Sequence, residues 1–217
     1  MSKCRLPLDR IYPITDRKES RKLGHVELAA IFLEAGIGLF QVREKRLPDL
    51  LLYQQLVQVR QLCTKFEEVR FLVNDRVDLA LAVGADGVHL GQDDLPVQVA
   101  RELLGEKAII GLSTHNQRQF EEGCRLPVDY LAIGPVFPTG TKESDNQPLG
   151  VEMIGRLASE TDLPIVAIGG ITLQTAPELW KAGVASVAVI SDITNAPDPG
   201  MRMRQYLEEG KKLLADS

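Results

Sequence analysis

The sequence is short of cysteine and histidine, with three of each among its 217 residues. Cys4, Cys63 and Cys124 lie far apart, form no CxxC pair and do not cluster with the histidines. This spacing argues against a zinc or iron–sulfur site, and we interpret the three cysteines as inert packing residues. The odd cysteine number and the lack of a signal peptide are typical of a reduced, cytoplasmic protein.

Long apolar runs and a basic excess are also missing. No segment approaches the roughly 18 apolar residues that span a bilayer, so we expect no membrane partner. The net charge is −5 and no Lys/Arg-rich run is present, whereas nucleic-acid-binding proteins carry a basic face that neutralises phosphates. We therefore expect small-molecule substrates and no nucleic acid. The sequence does not determine the oligomeric state, and a homo-oligomer is compatible with it.

What the sequence does contain is an alternation of short apolar segments with helix-length amphipathic segments. The apolar segments are rich in Val, Ile and Leu, as in parallel strands that are covered on both faces. Their sequences are RIYPIT, GLFQVR, VRFLVN, DGVHL, AIIGLS, DYLAIG, PIVAIG and SVAVIS. Eight strand–helix units without a linker favour an α/β fold, a closed and compact (β/α)8 TIM barrel, over a doubly wound sheet. We expect residues 1–217 to form a single barrel domain.

Polar residues are concentrated where the predicted strands end. Enzymes with this fold place their chemistry at the C-terminal ends of the strands, so the pattern predicts an active site at that rim. In the segment QVREK, Arg43 and Lys45 alternate along a strand and point to one face. Two interpretations remain open: ion pairs with Asp16, Asp75 or Glu44, or a binding site for a polyphosphate.

Two other strand ends have the composition of anion-binding loops. GPVFPTGTK, residues 134–142, contains Thr139, Thr141 and Lys142, which can donate hydrogen bonds to an anion. It lacks the GKS/T ending of a P-loop. AIGGI and AVIS supply paired glycines and a strand end where barrel phosphate sites commonly lie. The sequence therefore predicts a second anion site, separate from QVREK.

Asp75 and Asp94 follow two neighbouring predicted strands. Because such strand ends meet at one rim, we expect the two carboxylates to lie close enough to share a cation. Oxygen ligands without cysteine or clustered histidine favour Mg²⁺, which binds through one or two carboxylates, waters and substrate phosphates. The alternative is helix capping, since aspartate is a good N-cap and a helix is predicted after each acid.

Taken in order, these segments resemble the thiamine phosphate synthase family. The matching segments are IYPITD, QVREK, VNDRVDLAL, ADGVHLGQDD, GLSTH, DYLAIGPVFPTGTK, VAIGGI and VAVIS, and they extend over nearly the whole chain. The resemblance implies a transferase of thiamine biosynthesis with Mg²⁺ as its cofactor. Such an enzyme condenses 4-amino-2-methyl-5-(diphosphooxymethyl)pyrimidine with a thiazole phosphate, giving thiamine monophosphate and pyrophosphate.

The resemblance also implies roles for individual residues. Asp75 and Asp94 are the implied Mg²⁺ ligands. The implied catalytic residues are Arg43, Lys45, Ser113 and Lys142. The implied substrate-binding residues are Gln41, Arg43, Glu44, Lys45, Asn74, Ser113, Thr139, Thr141, Lys142, Gly170, Ile190 and Ser191. His115 matches a family histidine without an assigned role, and we interpret His89 as a packing residue.

One departure from the family follows AVIS, where Asp192 replaces the usual small residue. An extra carboxylate there either weakens phosphate binding or faces solvent. Two rival functions are a thiazole tautomerase, a related barrel that binds thiazole phosphate, and a non-catalytic phosphate-ligand sensor. The tautomerases lose parts of the diphosphate site, whereas Arg43, Asn74 and Asp75 are all present here.

Overall fold

The computed structural model describes residues 6, 8–20, 23–140 and 146–215. Parallel strands alternate with helices along the chain. The strands are β1 Ile11–Asp16, β2 Leu39–Arg43, β3 Arg70–Asn74, β4 Gly87–Leu90, β5 Ile109–Thr114, β6 Tyr130–Ile133, β7 Ile165–Ile168 and β8 Ser186–Val189. The helices are α1 His25–Glu34, α2 Asp49–Cys63, α3 Val77–Val83, α4 Val97–Leu104, α5 Gln117–Gly123, α6 Gly150–Ala158, α7 Ala176–Lys181, α8 Ser191–Thr194 and α9 Pro199–Ala215.

The strands close into a barrel in chain order, and β1 pairs with β8 as well as with β2. The predicted (β/α)8 barrel is therefore confirmed. Consecutive parallel pairing brings all the C-terminal strand ends to one rim. Register then decides which rim residues are neighbours: Asp16 lies opposite Arg43, and Asn74 lies opposite His89.

Apolar side chains pack in two layers. The larger layer lies between the strands and the surrounding helices, because each strand faces both the helices and the barrel interior. The smaller layer fills the interior of the barrel with Tyr12, Leu39, Leu72, Tyr130 and other residues. Interior side chains of such barrels form a packed core without a pore. The cavity described below therefore has a solid floor.

The two described cysteines, Cys63 and Cys124, are free thiols. Cys63 packs in the outer layer, and burial raises the pKa of its thiol to about 11. This agrees with an inert packing role. Cys4 lies outside the described residues. Within the described residues, no helix combines the length and the apolar character that a membrane span requires.

The floor of the cavity depends on a glycine. A Cβ atom on Gly111 would lie 2.1 Å from a ring carbon of Tyr130, so only glycine leaves room for this fully buried ring. We expect Gly111→Ala to lower the free energy of unfolding by about 1–3 kcal/mol, because overpacking a core displaces its neighbours. Urea unfolding followed by circular dichroism measures this change.

Gly140→Ala is the matched control, since a Cβ at Gly140 meets no atom of the described residues within 4 Å. We expect its unfolding free energy to equal that of the parent chain. Equal stability of the Gly111 and Gly140 variants would contradict the packing argument.

Candidate active site

A cavity of about 480 Å³ opens at the C-terminal rim of the barrel, within the usual size range of ligand sites. Of the predicted site residues that the structure describes, Glu44 alone does not contribute to its wall. The predicted residues that line it are Gln41, Arg43, Lys45, Asn74, Asp75, Asp94, Ser113, Thr139, Gly170, Ile190 and Ser191. Thr141 and Lys142 lie outside the described residues.

The cations of QVREK are paired and also line the cavity. Arg43 forms an ion pair with Asp16, its register neighbour, and Lys45 forms one with Asp75. Side-chain exposure is 17% for Arg43 and 52% for Lys45. The ion-pair interpretation of this segment is therefore confirmed. The polyphosphate interpretation stays a prediction, and the same two cations line the cavity.

Glu44 is directed away from the cavity. Its carboxylate accepts hydrogen bonds from the backbone N–H groups of Lys45 and Arg46, each at 2.8 Å, and lies 3.1 Å from His25 Nε2. The other ring nitrogen of His25 lies 2.7 Å from Thr15 Oγ1. Contact of Glu44 with substrate is therefore not supported by its position. Its carboxylate stabilises the turn that presents Lys45.

The His25 ring is fully buried. Burial lowers its pKa, although the Glu44 carboxylate acts in the opposite direction. A neutral imidazole is thus the form that this site favours at neutral pH. Its contacts with Thr15 and Glu44 tie β1 to the end of β2.

Asp75 and Asp94 form a pair of carboxylates at the cavity wall. The pKa of Asp75 is raised, first by burial and also by its contact with Asp94, while Lys45 acts in the opposite direction. Two adjacent carboxylates repel each other unless a cation lies between them. Asp75 also has a φ of 61°, a backbone region that non-glycine residues rarely adopt and that often marks functional sites.

Neither Asp75 nor Asp94 caps a helix in the structure, so the capping alternative is not supported. The N-cap positions of α3 and α4 are Arg76 and Pro96, and neither helix has a side-chain cap. Asp94 Oδ2 instead accepts a hydrogen bond of 2.6 Å from the backbone N–H of Gly91, within the loop after β4.

Asn74 adds a polar group without a partner. Its side chain is 8% exposed, and its Nδ2 atom is buried with no hydrogen-bond partner among the described residues. Buried amide donors normally have an acceptor. Because Asn74 lines the cavity, this amide is available to donate to a molecule bound there.

Ser113 is held from two sides at the end of β5. Gln92 Nε2 donates to its backbone carbonyl at 2.7 Å, and His89 Nε2 lies 2.8 Å from its Oγ atom. His89 is buried and its ring stacks on Tyr130, which confirms its interpretation as a packing residue. It also lines the cavity, and its contact with Ser113 was not predicted. Alternation along DGVHL could have indicated an inward position, but it could not indicate the Ser113 contact.

The opposite wall is built from close-packed loops. Gly169 and Gly170 have φ angles of 103° and 65°. A Cβ on Gly169 would lie 2.6 Å from Pro135, and one on Gly170 would lie 2.6 Å from the Pro138 carbonyl oxygen. The glycines thus let the loop after β7 approach the loop after β6, which carries Thr139. Ile190 and Ser191 complete this wall.

Asp192 neither faces the cavity nor stands alone. Its carboxylate accepts hydrogen bonds from the Leu173 N–H at 3.2 Å, from Arg202 at 2.9 Å and from the Tyr206 hydroxyl at 2.7 Å. Burial raises the pKa of the Tyr206 hydroxyl, so the tyrosine remains a donor. Asp192 therefore fastens the loop after β7 to α9, and Arg202 neutralises its charge.

Comparisons with known proteins agree with this geometry. The family model described as thiamine monophosphate synthase matches residues 11–193. A thiamine-phosphate synthase from Pelotomaculum thermopropionicum is 42% identical over 89% of this chain and 88% of its own length. One from Archaeoglobus fulgidus is 43% identical over 91% of both chains.

A solved structure is similar as well. The thiamine phosphate pyrophosphorylase from Pyrococcus furiosus superposes with a TM-score of 0.85 at 36% identity, covering 94% of this chain and 96% of its own. The family model and the relatives extend over nearly the whole barrel, including every strand end that lines the cavity. This chain therefore belongs to the thiamine monophosphate synthase family.

Proposed function

We propose that this chain is a transferase that joins a pyrimidine diphosphate to a thiazole phosphate. The products are thiamine monophosphate and pyrophosphate, and both substrates are small molecules. The observation that carries the proposal is the meeting of Arg43, Lys45, Asp75 and Asp94 at one wall of a single cavity. The relatives named thiamine-phosphate synthase support the same reaction.

The carboxylate pair fits a magnesium ion. Burial raises the pKa of Asp75, and its contact with Asp94 raises it further. A divalent cation would relieve the repulsion between the two carboxylates. The described residues contain no cluster of three or more acidic, histidine or cysteine ligands. Mg²⁺ matches that donor set, because it keeps several waters and binds through one or two carboxylates together with substrate phosphates. When bound, Mg²⁺ would help to neutralise the charge of the departing pyrophosphate.

Cationic and hydrogen-bond-donating side chains of the protein would stabilise the same departing pyrophosphate. In the reaction the C–O bond of the pyrimidine methylene breaks, and both electrons stay on the pyrophosphate oxygen. Arg43 and Lys45 can stabilise that charge from one side of the cavity. The Asn74 amide and the Ser113 hydroxyl offer further donors. The resemblance adds Lys142 to this set.

The second substrate belongs at the opposite wall. Its phosphate would meet Thr139, Gly170, Ile190 and Ser191, which all line the cavity, and Thr141 by resemblance. The lone pair of the thiazole nitrogen then forms the new C–N bond. That attack needs no general base, which fits a cavity rich in cations and donors. The rival functions, a tautomerase or a sensor, would leave the Asp75–Asp94 pair without a use.

We also propose that residues 1–217 form one domain. The barrel closes between Ile11 and Val189, and α9 packs back against α1, α7 and α8. A single apolar layer joins these helices to the strands.

The test is a pyrophosphate-release assay on the purified protein. We expect release only when both substrates and Mg²⁺ are present, and loss of release in excess EDTA that added Mg²⁺ reverses. Turnover that persists in EDTA would overturn the metal assignment. Binding of thiazole phosphate without pyrophosphate release under any condition would overturn the transferase and favour the rivals.

A further inference from the structure

A chain of hydrogen bonds crosses the floor of the cavity. Gln41 Nε2 donates to Tyr12 Oη at 3.1 Å, and the hydroxyls of Tyr12 and Tyr130 lie 2.9 Å apart. Tyr130 Oη lies 2.8 Å from His89 Nδ1, and His89 Nε2 lies 2.8 Å from Ser113 Oγ. All five side chains are buried, with exposures of 0–7%. The chain therefore connects five strands through the barrel interior.

Packing holds the members of this chain in place. The Tyr12 and Tyr130 rings meet edge to face with their centroids 5.8 Å apart. The His89 ring stacks on Tyr130 at 5.6 Å. Tyr130 in turn fills the space that Gly111 leaves open. Because these rings are closely packed, they cannot rotate toward other hydrogen-bond partners. The fold therefore determines which side chains are bonded to each other.

The direction of the chain follows from counting protons. Burial raises the pKa values of Tyr12 and Tyr130, so each hydroxyl keeps its single proton. Tyr12 accepts from Gln41, and the partner left for its own proton is Tyr130. With the reverse order, the hydroxyl of Tyr12, a residue that is 1% exposed, would be a buried donor with no acceptor among the described residues.

Each later bond is then determined. Tyr130 donates to His89 Nδ1, so the proton of the neutral imidazole lies on Nε2. His89 Nε2–H donates to Ser113 Oγ, and this hydrogen bond occupies one acceptor position of the Ser113 hydroxyl. The remaining proton of Ser113 is directed away from His89. Because Ser113 lines the cavity, its hydroxyl is left to donate into that space.

We propose that His89 is a positioning residue that turns the Ser113 hydroxyl into a hydrogen-bond donor aimed at the bound diphosphate. The inference rests on the proposed function for the identity of that ligand. It assigns a task to a buried histidine that touches neither substrate nor metal in the mechanism above. It also explains a buried polar chain in a barrel interior that apolar residues could have filled.

Nuclear magnetic resonance tests the direction of the chain without turnover. The protein contains three histidines, so ¹⁵N labelling of histidine gives few ring-nitrogen signals. The pair of signals that disappears in His89→Phe belongs to His89. We expect wild-type His89 to carry its proton on Nε2 and none on Nδ1. A proton on Nδ1 would reverse the chain and overturn the proposal.

Kinetics test whether His89 acts through Ser113. We expect Ser113→Ala and His89→Phe each to lower kcat/KM for the pyrimidine diphosphate by about 10- to 100-fold, the value of a hydrogen bond to a charged group. The double variant should match Ser113→Ala within about twofold, because the second change removes nothing further. The KM for thiazole phosphate should stay unchanged.

His89→Gln keeps a donor near the position of Nε2 and should recover most of the activity lost in His89→Phe. His89→Gln also replaces His89→Phe as the test variant if the phenylalanine variant does not fold. Losses that multiply in the double variant would overturn the proposal. An inactive wild-type protein would instead overturn the transferase, and calorimetric titration of the same variants with Mg²⁺ and pyrophosphate would still report the His89–Ser113 coupling.

Discussion

Asp75→Asn is expected to lower kcat by about 100-fold or more while leaving the fold as stable as before, or more stable. The loss follows from removing one of two carboxylates that would hold Mg²⁺ against the leaving group. The stability follows from the raised pKa of Asp75. A carboxylate with a raised pKa in the folded state opposes folding at neutral pH, and its protonation as the pH falls relieves that opposition.

Asparagine is also a conservative choice for the backbone. The φ of 61° at position 75 is a conformation that asparagine adopts readily. Steady-state kinetics and thermal unfolding, each with and without Mg²⁺ and pyrophosphate, measure the two effects. We expect these ligands together to raise the melting temperature of the wild-type protein but not that of the variant.

Asp78→Asn is the matched control, since it makes the same chemical change three residues along the chain. Asp78 is 64% exposed and pairs with Arg76 on the surface. We expect it to retain full activity and to lose at most a small amount of stability. If Asp75→Asn kept full Mg²⁺-dependent turnover, Asp75 would not be a metal ligand.

The strands were predictable because both faces of each one are buried. Segments such as DYLAIG and PIVAIG are apolar at nearly every position, and the strands β6 and β7 begin and end within a residue of those segments. The helix α2, Asp49–Cys63, coincides with the amphipathic segment DLLLYQQLVQVRQLC between two of the predicted strands. The rule that chemistry lies at the C-terminal strand ends then gave most of the cavity wall.

Pairings between strands were less predictable because they depend on register. Asp16, Asp75 and Glu44 were equal candidates to pair with Arg43 and Lys45. The parallel register places Asp16 opposite Arg43, and sequence spacing does not reveal that alignment. The position of Glu44 was predictable in hindsight, since the alternation that aims Arg43 and Lys45 at one face turns the residue between them to the other.

Buried polar contacts were the least predictable. His89 and Tyr12 each lie between apolar neighbours in their strands, and such polar groups can face either layer. Their role depends on partners from β2, β5 and β6 that are far away in the sequence. Asp192 shows the same limit, because α9 supplies the donors that neutralise it.

Arg43→Met is expected to impair both binding and folding, and the two effects can be separated. The side chain of Asp16 is 5% exposed beside Arg43. Removal of the guanidinium therefore leaves a buried carboxylate without its cationic partner, although it still accepts hydrogen bonds from the backbone N–H groups of Lys18 and Glu19. We expect the free energy of unfolding to fall by about 3 kcal/mol. Loss of the cation should lower kcat/KM for the pyrimidine diphosphate by about 100- to 1,000-fold.

The double variant Asp16→Asn/Arg43→Met separates folding from binding, because the neutral amide no longer needs a counterion. It should recover most of the stability and none of the activity. Arg60→Met is the control, since Arg60 pairs with Asp86 at 3.1 Å where α2 ends and β4 is about to begin, away from the cavity. It should lose stability at unchanged kcat/KM. Recovery of activity together with stability in the double variant would mean that Arg43 serves the fold and not the diphosphate.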